Sequence, residues 1–253
     1  MCIIVAKIKG SDFPSEQIIR NCMDNNPHGF SMAWNGPDKL VHNFKTMNSD
    51  EALAKYRELS ASLDPEKTGF IFHARIATHG SHKVENCHCW VEPVSTEKGD
   101  FQIAFAHNGV LRNVPNRDDM TDSETFFQDY FLPVLRTLGW DTAKKVAKAI
   151  IGFGNRFAFL CNSGNIELMG DEFIKHQEPG KKGKCYYSNS SFMRSAELFP
   201  SSYGTSGSRS GKGSDQSPYS RFGIGNTVLY NRGDGRGLQS VRMSDIDSKA
   251  TRR

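Results

Sequence analysis

Runs of apolar residues separated by turn-forming residues predict most of the strands in this chain. Residues 2–8 are almost continuously apolar, which is typical of a buried strand. Residues 29–34 and 39–44 are predicted to pair as a hairpin, because the turn signal Asn35-Gly36-Pro37-Asp38 separates them. The other predicted strands are the apolar runs 69–78, 101–109, 156–161, 165–170 and 184–189.

Apolar residues at helical spacing predict four helices between these strands. The first two cover residues 12–27, with Pro14 in the first turn, and residues 49–63. The other two cover residues 122–139, ending at the glycine, and residues 141–154. The apolar face of the third helix is predicted to contain Phe126, Phe127, Tyr130, Phe131, Val134 and Leu138.

The order of these elements predicts an α+β fold. Strands and helices in separate blocks favour antiparallel sheets layered with helices over a parallel, doubly wound sheet. The composition then changes at residue 201, since 13 of the 23 residues in 201–223 are Ser or Gly, which is typical of a flexible segment. We therefore expect a domain over residues 2–200 and a flexible tail over 201–253, whose apolar cluster Val228-Leu229-Tyr230 forms one strand or none.

The composition limits which cellular locations and which binding partners we expect. No apolar stretch approaches the roughly 18 residues of a membrane span, and the N-terminus lacks a secretory pattern, so we expect a cytoplasmic protein that does not bind a membrane. The six cysteines are accordingly expected to be reduced thiols. Residues 201–253 contain nine Lys or Arg against four acidic residues, in a chain of net charge +4. Nucleic acid is therefore expected as a partner only through this basic tail, although tails of this composition are more often solubilising linkers.

One stretch, SHKVENCHCW, resembles a metal cluster. Its candidate ligands are His82, Cys87, His88 and Cys89, but a Cys-x-Cys pair without a second matching pair is poor zinc spacing. We expect buried thiols that behave as small apolar side chains, with no metal and no cofactor.

The Cys at position 2 is a candidate nucleophile. If Met1 is removed, Cys2 carries both a thiol and a free α-amine. Such an amine titrates near pH 7.7–8.0 in model compounds, so it can take the thiol proton directly or through water. The alternative is that Cys2 only fills the core at the start of a strand.

Three further stretches supply polar groups at the ends of predicted strands or before a helix. In HARIATHG, Arg75 can hold a carboxylate in a two-pronged pair. In AHNGVLRN, Asn108 and Gly109 can form an oxyanion hole, or a common hairpin turn. In TDSE, Asp122 is either the N-cap of the following helix or a carboxylate that binds an amine. A thiol, an oxyanion hole, an Arg and an Asp together describe a site that cleaves the side-chain amide of glutamine.

The motifs MCII, HARIATHG, HNGVLRN and TDSE, in this order, resemble the glutaminase domain of class II glutamine amidotransferases, which are N-terminal nucleophile hydrolases. The resemblance covers roughly residues 2–195 and implies a four-layer αββα sandwich. It implies Cys2 as the nucleophile and an oxyanion hole formed by Asn108 and Gly109. The residues that it implies for substrate binding are Arg75, Thr78 and His79 at the carboxylate end and Asp122 at the α-amine.

The resemblance implies a glutaminase subunit that hydrolyses glutamine through a thioester on the N-terminal Cys. Larger relatives continue into a synthase domain, whereas here a Ser/Gly-rich tail follows, so we expect the ammonia to pass to a separate synthetase. Two alternatives stay open. One is a hydrolase of another γ-glutamyl amide, and the other is a non-enzymatic binding protein that uses its basic, aromatic-containing tail.

Overall fold

The computed structural model describes residues 2–76, 83–97, 99–115, 117 and 120–193, together with the backbone of 227–231 and 238–242. The chain divides into two units, Met1–Ser202 and Tyr203–Arg253. The predicted site residues that the structure describes all lie in the first unit.

The strands follow the predicted order, with additions. In chain order they are β1 (Ile3–Lys7), β2 (Phe30–Asn35), β3 (Val41–Thr46), β4 (Phe70–Ala74), β5 (Trp90–Thr96), β6 (Gly99–Asn108), β7 (Arg156–Cys161), β8 (Ile166–Gly170), β9 (Ile174–His176), β10 (Cys185–Tyr187), β11 (Thr227–Asn231) and β12 (Leu238–Arg242). The helices are α1 (Glu16–Asn25), α2 (Ser49–Ser62), α3 (Asp122–Thr125) and α4 (Leu132–Ile151), with a π-helical turn at Phe126–Phe131 and short 3₁₀ turns at Val84–Asn86 and Ser190–Phe192.

The first unit contains two antiparallel sheets. The larger has the strand order β3-β2-β4-β1-β10-β9, and the smaller has the order β5-β6-β7-β8. In the larger sheet β1 pairs with β4 on one side and with β10 on the other. Because Ile3 pairs with Ala74, the residues just outside these strands, Cys2 and Arg75, lie at the same end of the sheet.

Three apolar clusters show how the layers stack. The first packs α1 and α2 against one face of the larger sheet, through residues such as Ile19 and Phe72. The second packs α4 and the π-helical turn against one face of the smaller sheet. The third lies between the sheets, and four of its ten buried residues are alanines: Ala33, Ala104, Ala106 and Ala158. This arrangement confirms the α+β class and the four-layer αββα sandwich.

Helix α1 begins later than predicted. Its N-cap is Ser15, whose side chain accepts a hydrogen bond from the backbone of Ile18, and this places Pro14 before the helix instead of in its first turn. Asp12 does not cap the helix either, since its carboxylate accepts a hydrogen bond from the backbone N–H of Lys182. The prediction of this helix start is therefore wrong by one turn, although the helix itself is confirmed.

The apolar face predicted after residue 122 is correct as far as Val134, which packs partly against the apolar cluster, and wrong at Leu138. A π-helical turn contains one more residue than an α-helical turn, so the positions beyond Phe131 move by one. Leu132 and Leu135 become buried, whereas Leu138, predicted on the same face, is 65% exposed. The predicted break at Gly139 is confirmed, because this residue adopts a non-helical conformation with φ +78°.

Several strands do not appear in the sequence prediction. Strand β5 lies at the edge of the smaller sheet and contains Pro93, a residue that is tolerated at edges because it cannot donate to a ladder. Strand β9 is only three residues long. In the second unit, the cluster at 228–230 forms β11, which pairs with β12 where no second strand is predicted. Among the helices of the described residues, none is both long and apolar enough to cross a membrane.

Candidate active site

Cys2 lies immediately before β1 and is half-buried. Its Sγ accepts a hydrogen bond from the backbone N–H of Ile76 at 3.4 Å and donates to the carbonyl of the same residue at 3.5 Å. Burial raises the pKa of the thiol, while the bond from Ile76 and the positive charge of Arg75 oppose that rise. The thiol therefore keeps its proton at neutral pH unless a base removes it.

Arg75 follows β4 at the sheet end that also holds Cys2. Its backbone N–H donates to the carbonyl of Gly29 at 2.8 Å, and the side chain is almost fully buried. Its positive charge acts on the Cys2 thiol and lowers the pKa that burial raises. Thr78 and His79, which were predicted beside Arg75, lie outside the described residues.

Asn108 ends β6 in the smaller sheet but forms a hydrogen bond to the larger sheet. Its side chain is 1% exposed, and Nδ2 lies 2.8 Å from Ser188 Oγ. The same hydroxyl accepts the backbone N–H of Ile4 at 2.8 Å, and the Ser188 N–H donates to the Ile4 carbonyl at 2.9 Å. One serine thus links Asn108 to the strand that begins after Cys2.

Gly109 adopts φ +144°, a conformation that strongly favours glycine. A Cβ at this position would collide with Asn155 Oδ1. That oxygen accepts a hydrogen bond from His107 Nε2 at 2.9 Å, so Nδ1 of the neutral ring accepts the Ser123 hydroxyl at 2.7 Å. Burial lowers the pKa of His107, which keeps the ring neutral.

Asp122 is the first residue of α3 and does not cap it. The N-cap is Thr121, whose hydroxyl accepts the backbone N–H of Glu124 at 3.2 Å, so the capping interpretation of Asp122 is wrong. Instead, Asp122 Oδ2 accepts the N–H of Leu111 at 2.6 Å, and Oδ1 accepts the N–H of Ser123 at 2.8 Å. The carboxylate is thereby fixed beside the turn that follows Gly109.

Hydrogen bonds join most of the predicted site residues. Cys2 and Arg75 share one end of the larger sheet, and Ser188 connects that sheet to Asn108. A buried chain then connects Asp122 to Asn155, the residue packed against Gly109: the Ser123 N–H donates to Asp122, the Ser123 hydroxyl donates to His107 Nδ1, and His107 Nε2 donates to Asn155. A candidate nucleophile, two candidate oxyanion donors, a cation and a carboxylate therefore lie in a framework of two hydrogen-bonded groups, one linked through Ser188 and one through His107.

Sequence reasoning missed three residues of this framework. Ser188 links Asn108 to β1, Asn189 Nδ2 donates to the carbonyl of Cys2 at 2.6 Å, and Asn155 packs against Gly109. Ser188 and Asn189, the polar residues that end the last predicted strand, were a usable signal, because polar residues at a strand end are often functional. No comparable signal marks Asn155, which lies in a Gly-rich loop.

The thiols of the cysteine-rich stretch are buried. Burial raises the pKa of Cys89 to about 12 and also raises the pKa of Cys87. Cys89 adopts φ +63°, and its carbonyl accepts a hydrogen bond from Asn43 at 3.1 Å. His82 lies outside the described residues. Within the part of the chain that the structure describes, no three His, Cys, Asp or Glu side chains are grouped so that they could hold a metal ion.

Comparison with protein families gives one match. The model of the family described as glutamine amidotransferases class-II matches residues 11–149, which is more than half of the 253-residue chain. The matched range contains Arg75, Asn108, Gly109 and Asp122, whereas Cys2 precedes it. No curated protein matches the chain in a sequence comparison.

Solved structures include several similar folds. The structure of the allosteric regulatory enzyme of purine biosynthesis is 15% identical with a TM-score of 0.50, and covers 74% of this chain and 42% of its own. Glutamine phosphoribosylpyrophosphate amidotransferase from B. subtilis, complexed with ADP and GMP, is 16% identical with a TM-score of 0.45 and the same coverage. A glutamine aminotransferase class-II domain protein from Silicibacter pomeroyi is 13% identical with a TM-score of 0.40, covering 74% of this chain and 88% of its own. The chain thus spans less than half the length of the first two proteins.

Proposed function

Because the chain belongs to the class II glutamine amidotransferases, we propose that it hydrolyses the side-chain amide of glutamine to glutamate and ammonia. The observation that supports this most is the link from Asn108 through Ser188 to the strand that begins after Cys2. This link fixes the proposed oxyanion donor relative to the half-buried thiol of Cys2, as amide hydrolysis through a covalent intermediate requires.

In the proposed reaction Met1 is removed and the α-amine of Cys2 acts as the base. Because burial raises the pKa of the thiol, the amine must take its proton as the sulfur attacks the amide carbon. The amide carbonyl becomes an oxyanion, which the Asn108 side chain and the Gly109 N–H bind. The C–N bond then breaks, the amine returns its proton to the leaving ammonia, and water hydrolyses the thioester to glutamate.

The substrate is proposed to bind through both groups on its α-carbon. Arg75 pairs with the α-carboxylate, together with Thr78 and His79. Asp122 pairs with the α-ammonium, and it is suited to this because each oxygen accepts one backbone N–H and retains a further lone pair. Glutamine is thereby oriented with its side-chain amide toward Cys2.

In the proposed reaction, residues 2–200 form the amidotransferase domain, which contains all the proposed site residues, and the released ammonia passes to a separate synthetase. A cytoplasmic location is proposed because the six cysteines are free thiols, and a reducing compartment keeps thiols in that state.

Glutamate release from glutamine tests the proposal directly. Cys2→Ala should abolish release, whereas Cys161→Ala should not, because this half-buried thiol lies at the far end of β7. An electrophilic glutamine analogue should label the wild-type protein at Cys2 by mass spectrometry. Release from other γ-glutamyl amides in place of glutamine would reassign the substrate, and activity that persists in Cys2→Ala would overturn the mechanism.

A further inference from the structure

The hydroxyl of Ser188 has a role that the proposed reaction leaves unassigned. Resting on the proposed function, we propose that Ser188 is a positioning residue for the oxyanion hole: its hydroxyl donates to Asn108 Oδ1 and so turns the amide Nδ2 toward the substrate. Ser188 is fully buried and 2.8 Å from the Asn108 side chain, so water does not compete for this contact.

Ser188 Oγ has two neighbours that can donate a hydrogen bond to it, the Ile4 N–H and Asn108 Nδ2. The Ile4 N–H can only donate, so Ser188 Oγ must accept it, at 2.8 Å. If Asn108 Nδ2 also donates to this oxygen, the single hydroxyl hydrogen has no acceptor among the described residues. Asn108 Oδ1 is likewise buried and without a partner within the described part of the chain. With Nδ2 facing Ser188, the Ser188 hydroxyl hydrogen and Asn108 Oδ1 are therefore both buried without a hydrogen bond among the described residues.

A half-turn of the amide about its Cβ–Cγ bond resolves both deficits. The oxygen and the nitrogen of an amide are nearly identical in shape, so their hydrogen-bond partners decide which way the group points. After the turn, Ser188 Oγ accepts from Ile4 and donates to Asn108 Oδ1. The amide NH₂ then occupies the place of the unpartnered oxygen, where it needs an acceptor. The oxyanion formed at the glutamine carbonyl is such an acceptor.

Asn189, the residue after Ser188, fixes the backbone position of Cys2. Asn189 Nδ2 donates to the carbonyl of Cys2 at 2.6 Å, while its Oδ1 accepts the N–H of Ser191 at 2.9 Å. Two consecutive residues after β10 therefore hold the nucleophile and the oxyanion donor. In this arrangement the orientation of Asn108 depends on one hydroxyl, and a Ser188→Ala change removes that hydroxyl without adding volume.

The test combines single and double variants. Ser188→Ala should lower kcat for glutamine by about 10²-fold, as expected when a catalytic group loses its orientation, with an unchanged KM and an unchanged pH profile. Asn108→Ala should lower kcat by about 10²–10³-fold. Because Ser188 acts through Asn108, the double variant should be no slower than Asn108→Ala alone. Ser190→Ala is the matched control, since the described structure gives its hydroxyl no hydrogen bond.

Multiplied effects in the double variant, or full activity in Ser188→Ala, would overturn the proposal. If Ser188→Ala folds poorly, Ser188→Cys provides a second variant that keeps the side chain but weakens the donor, and its kcat should lie between those of Ala and Ser.

Neutron diffraction from the wild-type protein gives a result that does not depend on activity. Deuterium on Ser188 Oγ pointing at Asn108 Oδ1 is the expected outcome, and deuterium on the amide nitrogen pointing at Ser188 would overturn the proposal. A wild-type protein that releases no glutamate would instead contradict the proposed function, while this measurement would still decide the orientation.

Discussion

Gly109→Ala is expected to destabilise the protein strongly, for two reasons that can be separated. At φ +144° a residue with a Cβ is strained, which costs about 1–3 kcal/mol. The added Cβ would also collide with Asn155 Oδ1, so Asn155 must move and release His107 Nε2. A buried polar group without a partner costs about 1–3 kcal/mol. The total of about 2–6 kcal/mol is a large part of the 5–15 kcal/mol by which most domains are stable.

Gly99→Ala is the matched control, because it shares the backbone strain but not the collision. Gly99 begins the strand that Gly109 follows, adopts φ +117°, and has open space where a Cβ would lie. For a chain of this size 1 kcal/mol lowers Tm by about 2–4 °C, so the collision should make Gly109→Ala melt about 2–12 °C below Gly99→Ala. Thermal unfolding followed by circular dichroism measures the difference. Equal melting temperatures would refute the packing of Asn155 against Gly109.

Four further outcomes are expected. A non-cleavable N-terminal tag should abolish glutamate release without unfolding the protein, because it converts the proposed base of Cys2 into an amide; full activity in the tagged protein would exclude the amine as base. Arg75→Lys should raise KM for glutamine, since an ammonium cannot form the planar two-pronged pair, and an unchanged KM would remove Arg75 from the site. Burial lowers the pKa of His73 to about 3, so between about pH 6.5 and 3 the unfolded chain binds a proton at this residue and the folded chain does not. The free energy of unfolding, measured with urea, should therefore fall by about 1.4 kcal/mol for each pH unit below 6.5 because of this group. His73→Phe should flatten that slope, and an unchanged slope would contradict the burial of a neutral ring. Deletion of 201–253 should leave kcat for glutamine unchanged, and a large loss would assign the tail a part in catalysis.

The sequence patterns correctly predicted those elements whose conformation is determined by residues close to them in the chain. The hairpin around Asn35-Gly36-Pro37-Asp38 follows from turn chemistry, and the break at Gly139 follows from its backbone freedom. The position of Leu138 failed because the π-helical turn before it shifts every later residue by one. Such a turn is set by how helix and sheet pack together, which helical spacing alone does not contain.

The predicted site shows the same division. Cys2 and Arg75 could be placed together only once β1 and β4 were known to pair, although each stood out by its residue type. Asp122 was left with two interpretations, and the choice depended on Thr121, a neighbour that caps the helix equally well by sequence. Ser188 could not be found from spacing, since it lies 80 residues from its partner Asn108.

The layer between the sheets, which contains four alanines, sets the distance between the two sheets and with it the geometry of the proposed site. Cys2 precedes a strand of one sheet and Asn108 ends a strand of the other, so the spacing between the sheets sets how far apart the proposed nucleophile and the proposed oxyanion donor lie. Ala104 and Ala106 lie in that layer on the strand that ends at Asn108. A larger residue there would push the sheets apart and lower turnover while the outer apolar layers keep the protein folded. Side-chain volume in this layer, between the sheets, therefore helps to set the distance between Cys2 and Asn108.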